Sequence, residues 1–405
     1  MASELARDKK FKKAGGRLKV ASERVGQIPP YLFAQIQKKK AAMVAAGIDV
    51  IDLGIGDPDL PTPEHIVRRL TEELADPKNF NYPEFAGCAE FREAVARFYG
   101  QQYGVELDPE TEVLALIGSK EGIAHLVPAL IDPGDTVLIP DPSYPVYRMA
   151  VLLANGEYAG MPLREENNFE PDFGAIPEKV LRRAKLMFLN YPGNPTAATV
   201  DPAFFERAVA FAKLHGIPVA HDSAYNRVTF DGYSAPSILQ AEGAKSIAVE
   251  FGSFSKTYSM TGMRIGYAVG NRDMLKALAV LKSNTDTGQF TPVQKAAAYA
   301  LEADQHCVSA NNRIYGERLK AVADGLASVG IRTEPPRGSF FIWARVPEPF
   351  TSAAFTEEVL SKAGVIVTPG SAFGPAGEGY FRISVSVPTE RLLEAVQRIR
   401  DTIRF

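Results

Sequence analysis

Short apolar segments alternate with helical patterns through the middle of the chain, and this alternation limits the possible folds more than any other feature. Apolar residues recur at helical spacing in the stretches 122–130, 146–154 and 202–215. Strands separated by helices predict an α/β fold, with a mostly parallel sheet covered by helices on both faces. The apolar segments predicted as strands are 111–118, 136–139, 185–190, 218–221 and 247–251.

The pattern changes after about residue 300, where the sequence predicts a smaller α+β domain. Helical patterns there alternate with apolar strands at 339–346, 365–368 and 380–385. Pattern alone does not assign residues 14–59 to either domain. The organisation that we expect is a flexible tail at 1–26, an N-terminal arm and part of the small domain at 27–59, a large domain at 60–300 and a small C-terminal domain at 301–405.

Charge and composition exclude several classes of protein. The net charge of −3 over 405 residues gives no electrostatic basis for binding nucleic acid or an anionic membrane. No apolar run approaches the roughly 20 residues that span a bilayer, and residues 1–19 lack the apolar centre of a signal peptide. Cys88 and Cys307 form neither a disulfide framework nor a metal-binding spacing. We therefore expect a cytoplasmic protein without a structural metal.

Ligands of open α/β sheets bind at the carboxyl ends of the strands, so the polar residues that follow the strands are the candidate site. Ser119 and Lys120 lie in the turn GSKEG at the start of a helix, where free backbone amides suit a phosphate. Capping of the helix by Ser119 is an equally good interpretation. Asn194 lies in the irregular turn NYPGNPT after the next strand, where a purely structural loop is the alternative.

The next two strand ends carry groups with stronger chemical implications. Asp222 follows one strand, and Tyr225 lies three residues further on. A carboxylate at a buried strand end must be paired to stay ionised, although a helix cap would also explain it. The segment SFSK follows the fourth strand, with Arg264 eight residues after Lys256. Serines and an arginine suit a phosphate, and a desolvated lysine amine attacks carbonyl groups.

Together these residues resemble the fold-type I pyridoxal-phosphate aminotransferases of classes I and II. The segment SFSKTYSMTGMRIGYAVG at 253–270 is similar to the lysine signature of that family. The resemblance extends from about residue 28 to residue 405. The chain also has seven residues in the same order as the family, which are Tyr144, Asn194, Asp222, Tyr225, Lys256, Arg264 and Arg382.

The resemblance implies pyridoxal 5′-phosphate as cofactor and gives catalytic roles to three residues. Lys256 would hold the cofactor as a Schiff base and move the proton of the substrate. Asp222 would pair with the pyridine nitrogen. Tyr225 and Asn194 would donate to the phenolic oxygen of the cofactor, and Tyr144 would stack on its ring. The residues expected to hold the phosphate are Ser119, Lys120, Ser253, Ser255 and Arg264.

The same resemblance implies how substrate is bound and that subunits share their sites. Arg382 would bind the α-carboxylate as a bidentate fork, with the backbone of Gly54 close beside it. Tyr82 would reach the phosphate of a partner subunit, which implies a homodimer with shared active sites. Asn194 would also contact substrate.

Four segments are similar to the branch of the family that acts on LL-diaminopimelate, at 28–36, 52–66, 117–126 and 230–237. The branches that act on aspartate and alanine share much of the sequence of these segments, so both stay open as alternatives. The expected amino acceptor is 2-oxoglutarate. Lys120 is a candidate for binding a distal carboxylate, unless its amine faces solvent, and Tyr31 and Glu84 are further candidates for the distal end.

This chain departs from the pattern of the family at one position, and rival functions remain to be compared with an aminotransferase. The family commonly has glycine where this chain has Ala197, and we expect a small adjustment of the loop because alanine resists positive φ. The triplet at 221–223 could indicate a hydrolase, but the chain has no G-x-S-x-G motif. A β-lyase or a decarboxylase on the same fold is the stronger rival, and an arginine for the α-carboxylate argues against decarboxylation.

Overall fold

The computed structural model describes residues 20–28 and 32–403, with the side chains of 32–35 left out. The helices in this part of the chain are α1 (Glu23–Gln27), α2 (Leu32–Ala45), α3 (Glu64–Glu73), α4 (Ala89–Tyr103), α5 (Ser119–Leu130), α6 (Val146–Leu153), α7 (Glu178–Leu181), α8 (Pro202–His215), α9 (Phe254–Thr257), α10 (Arg272–Ser283), α11 (Thr291–Glu302), α12 (His306–Ser328), α13 (Ser352–Ala363) and α14 (Thr389–Thr402). The strands are β1 (Ile51–Asp52), β2 (Val113–Leu116), β3 (Thr136–Asp141), β4 (Glu157–Pro162), β5 (Ala184–Asn190), β6 (Val219–Asp222), β7 (Ala248–Ser253), β8 (Gly266–Gly270), β9 (Phe341–Arg345), β10 (Val365–Ile366), β11 (Thr368–Pro369) and β12 (Tyr380–Ser384).

A seven-stranded sheet forms the centre of the molecule, in the order β2-β8-β7-β6-β5-β3-β4. The strands β7, β6, β5, β3 and β4 are parallel, whereas β8 runs antiparallel to both β7 and β2. The α/β fold with a mostly parallel sheet is thus confirmed. The carboxyl ends of β5, β6 and β7 are neighbours, which brings the segments that follow them to one edge of the sheet.

Helices bury apolar side chains on both faces of this sheet. One face packs against α4, α8 and α11, as Phe91, Phe205 and Ala297 show. The other face packs against α5, α6 and α10, and Tyr147 belongs to that core. Side chains at successive positions of a strand point to opposite faces, so His221 and Asp222 on β6 enter different cores.

The C-terminal part of the chain has its own core and two small sheets. β11, β12 and β9 form an antiparallel sheet, and β1 pairs in parallel with β10. Residues 51–52 therefore pack with the C-terminal segment, far from them in sequence. The predicted domain boundaries stay a prediction, and most of the predicted tail lies outside the described residues. No helix in the described ranges is long and apolar enough to cross a membrane.

Local sequence explains where the site-bearing elements begin and end. α8 spans the residues predicted for it, because the Asp201 side chain accepts from Phe204 N at its start and Gly216 ends it with φ 64°. α5 begins at Ser119, directly after Gly118, whose φ is 80°. A Cβ at residue 118 would collide with the Arg264 guanidinium, so this turn requires glycine for both conformation and space.

Candidate active site

One cavity of about 360 Å³ lies at the carboxyl ends of the central strands. Residues from both the large sheet and the C-terminal part line it. Most of the polar residues predicted from the strand ends meet there. The predicted residues that line this cavity are Ser119, Lys120, Tyr144, Asn194, Asp222, Tyr225, Ser253, Ser255, Lys256, Arg264 and Arg382.

One end of the cavity is built from hydroxyl groups, backbone amides and a guanidinium. Ser119 is the first residue of α5, and the N-cap is Gly118 without a side-chain bond, so the interpretation of Ser119 as the cap is wrong. Ser253 ends β7, and its hydroxyl accepts from Ser255 N at 3.2 Å. Arg264 donates to Thr261 O at 2.8 Å and lies against Gly118. This group of donors suits an anion with several oxygens, such as a phosphate.

Lys256 extends from the short helix α9 into the middle of the cavity. Its amine donates to Gly56 O at 2.7 Å and lies 5.9 Å from the centre of the Phe340 ring. Burial lowers the pKa of Lys256 to about 8, with Asp57 opposing the shift and Arg264 adding to it. A larger fraction of this amine than of an ordinary lysine is therefore uncharged near neutral pH and able to attack a carbonyl carbon.

Asp222 forms a buried anionic wall of the same cavity. Burial raises the pKa of its carboxyl, against a hydrogen bond from the Tyr147 hydroxyl at 2.7 Å and another from Ala224 N at 3.3 Å. Both hydrogen-bond donors are neutral, so the carboxylate can still pair with a cation in the cavity. The described residues 223–230 contain turns and no helix, so the helix-cap interpretation of Asp222 is wrong.

Arg382 lies on β12 and closes the cavity from the C-terminal part. Only 2% of the residue is exposed. Its guanidinium donates to Asn194 Oδ1 at 2.7 Å and to Gly54 O at 2.6 Å. The rings of Phe341 and Phe373 lie 4.2 and 4.7 Å from it. These contacts fix the plane of the guanidinium, which prepares it to bind a carboxylate as a bidentate fork.

Gly54 brings its backbone against Arg382 because it has no side chain. A Cβ at this position would lie 3.1 Å from Ile366 Cγ2 and 3.2 Å from Thr368 Oγ1. The Thr368 hydroxyl also donates to Gly54 O at 3.0 Å. This geometry agrees with the close approach of the Gly54 backbone to Arg382 that the family resemblance implied.

Two residues of the site, Tyr147 and Asn190, were missed by the sequence analysis. The Asn190 side chain accepts from Asn194 N and donates to Asp222 O, both at 2.8 Å. It thereby ties the Asn194 turn to the end of β6. Tyr147 lies in the first turn of α6, three residues after Tyr144, and its ring is edge-on to the Tyr144 ring at 6.2 Å.

Ala197, next to this turn, keeps the left-handed conformation, with φ 56°. It is 4% exposed and belongs to the C-terminal core. Ala197 itself does not avoid positive φ. The left-handed conformation of an alanine costs free energy that a glycine at this position would not.

Tyr225 lines the cavity with its ring edge-on to Phe340 and Phe341. Burial raises the pKa of its hydroxyl well above the ordinary value, so it stays a proton donor. Tyr82, by contrast, is 90% exposed and does not line the cavity of its own chain. Glu84 pairs with Arg92 at 3.2 Å outside the cavity. Tyr31 lies outside the described residues.

A cluster of possible metal ligands lies behind the start of α5. One ligand atom each from Glu121, His125 and Asp286 lies within 4.8 Å of the others. The buried Lys282 amine is 2.6 Å from Asp286 Oδ1 and 3.5 Å from Glu121 Oε2. An ammonium group thus already neutralises these carboxylates, and the cluster is a network of ion pairs.

The fold and the cavity agree with comparisons against known proteins. Residues 48–399 match the model of the family described as aminotransferase class I and II, so the chain belongs to that family. The LL-diaminopimelate aminotransferase of Moorella thermoacetica is 52% identical over 94% of this chain and 98% of its own length. That of Syntrophobacter fumaroxidans is 50% identical over the same shares. The substrate-bound structure of BacF from Bacillus subtilis superposes with a TM-score of 0.92 at 40% identity, covering 95% of this chain and 98% of that one.

Proposed function

We propose that this protein is a pyridoxal-phosphate-dependent LL-diaminopimelate aminotransferase of lysine biosynthesis, with 2-oxoglutarate as amino acceptor. The observation that carries the chemistry is the meeting of Lys256, Asp222 and Arg382 in one cavity. The substrate follows from the relatives of that name, at about half identity over nearly the whole chain. An aspartate or alanine aminotransferase is the alternative.

The residues present fit the cofactor at both of its ends. The serines, amides and Arg264 at one end of the cavity suit its phosphate. At the other end, Asp222 is a buried carboxylate with neutral hydrogen-bond donors, which suits a protonated ring nitrogen. When bound, the cofactor supplies the electron sink that lets a bond at the substrate α-carbon break.

The side chains of the cavity have separate proposed roles in binding the cofactor and the substrate. Lys256 would hold the cofactor, and its lowered pKa suits its amine to take a proton from the substrate α-carbon. Asp222 would keep the ring nitrogen charged. Tyr225 and Asn194 would hold the phenolic oxygen, and Tyr144 would hold the ring. Arg382 orients the α-carboxylate.

A dicarboxylic substrate needs a second positive group, and we assign it to Lys120. This residue lines the cavity, and its amine lies 5.9 Å from the centre of the Tyr144 ring. The proposal places the distal carboxylate of diaminopimelate or glutamate on the Lys120 amine. Tyr31 and Glu84 stay predictions for the rest of the distal end.

A second copy of the chain is proposed to cover the segment at 80–85. Phe80, Tyr82 and Phe85 are exposed aromatic residues close together in sequence, at 62, 90 and 56%. Such exposure indicates an interaction surface, and a homodimer would let Tyr82 reach the phosphate in the partner's cavity. We also propose a cytoplasmic location, supported by the free thiols of Cys88 and Cys307.

The test is a panel of amino donors with 2-oxoglutarate, comprising LL- and meso-diaminopimelate, aspartate and alanine, with glutamate formation as the measurement. We expect the highest kcat/KM with LL-diaminopimelate. A higher kcat/KM with aspartate or alanine would instead indicate an aspartate or alanine aminotransferase. Pyruvate and ammonia formed without any oxo acid from an added donor with a leaving group on its β-carbon, such as cysteine, would instead indicate a β-lyase.

A further inference from the structure

A buried pair of ionisable residues, His221 and Glu250, lies behind the cavity on the opposite face of the sheet. Both residues are fully buried, and they are direct neighbours on the parallel strands β6 and β7. His221 Nδ1 lies 2.8 Å from Glu250 Oε2. His221 Nε2 lies 3.0 Å from Tyr191 O, the first residue after β5.

The carboxyl group of Glu250 accepts hydrogen bonds from several sides. The Tyr99 hydroxyl donates to Oε1 at 2.6 Å, and the Ser237 hydroxyl and Ile238 N donate to Oε2 at 3.0 Å each. With His221, donors thus come from four residues, of which Ser237 and Ile238 are consecutive. A carboxylate that accepts this many hydrogen bonds is stable without contact to water.

The two contacts of the imidazole ring then define where its protons are. Nδ1 faces a carboxylate oxygen, and Nε2 faces a carbonyl oxygen, and neither oxygen can donate. The amide of Tyr191 also approaches Nε2, but at the longer distance of 3.4 Å. The shorter contacts therefore favour a ring that donates from both nitrogens.

We propose that His221 is an imidazolium cation paired with Glu250, and that it acts as a positioning residue for the active site. It ties the middle of β7, at Glu250, to the first residue after β5, across β6. Lys256 and Asn194 lie in the segments that follow β7 and β5, and Asp222 is the last residue of β6. The positioning role of His221 rests on the proposed function. The protonation of its ring does not depend on that function.

The charge also acts on Asp222, the next residue of β6. Burial raises the pKa of Asp222, and the positive charge of His221 opposes that shift. The groups packed around the imidazole are Glu250 on β7, Tyr191 after β5, Phe205 on α8, edge-on at 4.7 Å, and Asp222 itself. Glu250 is the carboxylate in contact with the ring, whereas the side chain of Asp222 points to the other face of the sheet, so losing Glu250 should also remove the proton from the ring.

Nuclear magnetic resonance of the holoenzyme labelled with ¹⁵N-histidine tests the protonation. The chain has five histidines, and His221→Asn assigns the signal. We expect protons on both ring nitrogens of His221, because each nitrogen faces an acceptor oxygen. Glu250→Gln should leave a neutral ring. A neutral ring in the unmodified enzyme would overturn the proposal.

Kinetics and absorbance test the positioning role. His221→Asn and Glu250→Gln should each lower kcat about ten-fold, with little change in KM, the size of one weakened charge-assisted hydrogen bond. Both should also raise the pH at which the visible absorption band of the bound cofactor changes, because Asp222 becomes a weaker partner for the ring nitrogen.

Ser237→Ala is the matched control, because it removes a hydrogen bond to Glu250 without touching the imidazole. It should lower the melting temperature and leave the absorbance titration unchanged. If His221→Asn lowered the melting temperature but shifted neither kcat nor the titration, the role would be structural only and the proposal wrong. An unmodified enzyme without any visible band would contradict the proposed function instead, and the resonance experiment would still decide the protonation.

Discussion

The hydroxyl of Tyr147 lies 2.7 Å from Asp222 Oδ2 and donates to it, with both groups buried beneath the cavity. Tyr147 is held in turn by the Phe188 ring, stacked at 4.8 Å, and lies edge-on to Tyr144 at 6.2 Å. One side chain thus supports both a wall residue and the proposed stacking residue of the site.

Replacing Tyr147 by phenylalanine should keep this packing and remove only the hydrogen bond. The pKa of Asp222 would rise further, because the hydroxyl opposes the effect of burial. We expect kcat to fall about ten-fold at nearly unchanged KM, measured by glutamate formation. Tyr158→Phe, on the exposed strand β4, serves as control. Equal kinetics of both variants would refute a role for the hydroxyl.

Lys256 should determine how apoenzyme captures the cofactor. Its amine loses a proton as pH rises through about 8, so the rate of capture should increase with pH up to that value and level off above it. Stopped-flow absorbance at a series of pH values measures this rate. Lys256→Ala should abolish both the visible band and activity, whereas Lys276→Ala, on the exposed side of α10, should change neither. Capture that is independent of pH would contradict the lowered pKa.

Arg382→Lys should reduce kcat/KM for every amino acid donor about a hundred-fold. An ammonium group cannot reproduce the two parallel hydrogen bonds of a guanidinium, which corresponds to about 3 kcal/mol in the transition state. Steady-state kinetics with several donors measures the effect, and Arg345→Lys at the exposed end of β9 is the control. An effect confined to dicarboxylic donors would mean that Arg382 binds the distal carboxylate instead.

Lys120→Ala separates the two ends of the substrate. We expect KM for diaminopimelate, glutamate and 2-oxoglutarate to rise about ten-fold, the size of one charged hydrogen bond. KM for alanine, which has no distal carboxylate, should not change. If KM for the dicarboxylic substrates also stays the same, the Lys120 amine does not bind the distal carboxylate.

Ala197→Gly should stabilise the protein. At φ 56° an alanine costs about 1 kcal/mol or more relative to glycine, and the greater freedom of glycine in the unfolded chain offsets part of this. We therefore expect the free energy of unfolding to rise by about 0.5 kcal/mol, measured by chemical denaturation. Ala198→Gly, the next residue along the chain, should lower it. A loss of stability in both variants would show that Ala197 is not strained.

Much of the fold was predictable because apolar runs and helical spacing are local signals. α8 has the predicted ends, and the predicted strands of the large sheet differ from the observed ones by a few residues. β8 was not predicted, since its sequence GYAVG begins and ends with glycine, which weakens a strand by propensity. Its antiparallel direction depends on pairing with β2 and β7, which no local pattern contains.

The meeting of the residues of the lysine signature and of the strand ends in one cavity was predictable, whereas the residues that support them were not. Tyr147 and Asn190 act through contacts between elements distant in sequence, and such contacts appear only in three dimensions. His221 was considered only as part of a hydrolase triplet, whereas it points away from the cavity. The alternation of side chains along a strand, applied to residues 221 and 222, would have separated them.

The contact between Gly54 and Arg382 also has a consequence for synthesis of the protein. Ribosomes release the chain from the N-terminus, so Gly54 emerges long before the arginine that it must meet. The large sheet can form during translation, but the carboxylate-binding wall can be completed only when the last strands have been made. A nascent or prematurely terminated chain would therefore have a place for the cofactor phosphate and lack the means to hold an amino acid. Binding of a carboxylate by Arg382 therefore requires synthesis of the chain at least as far as β12.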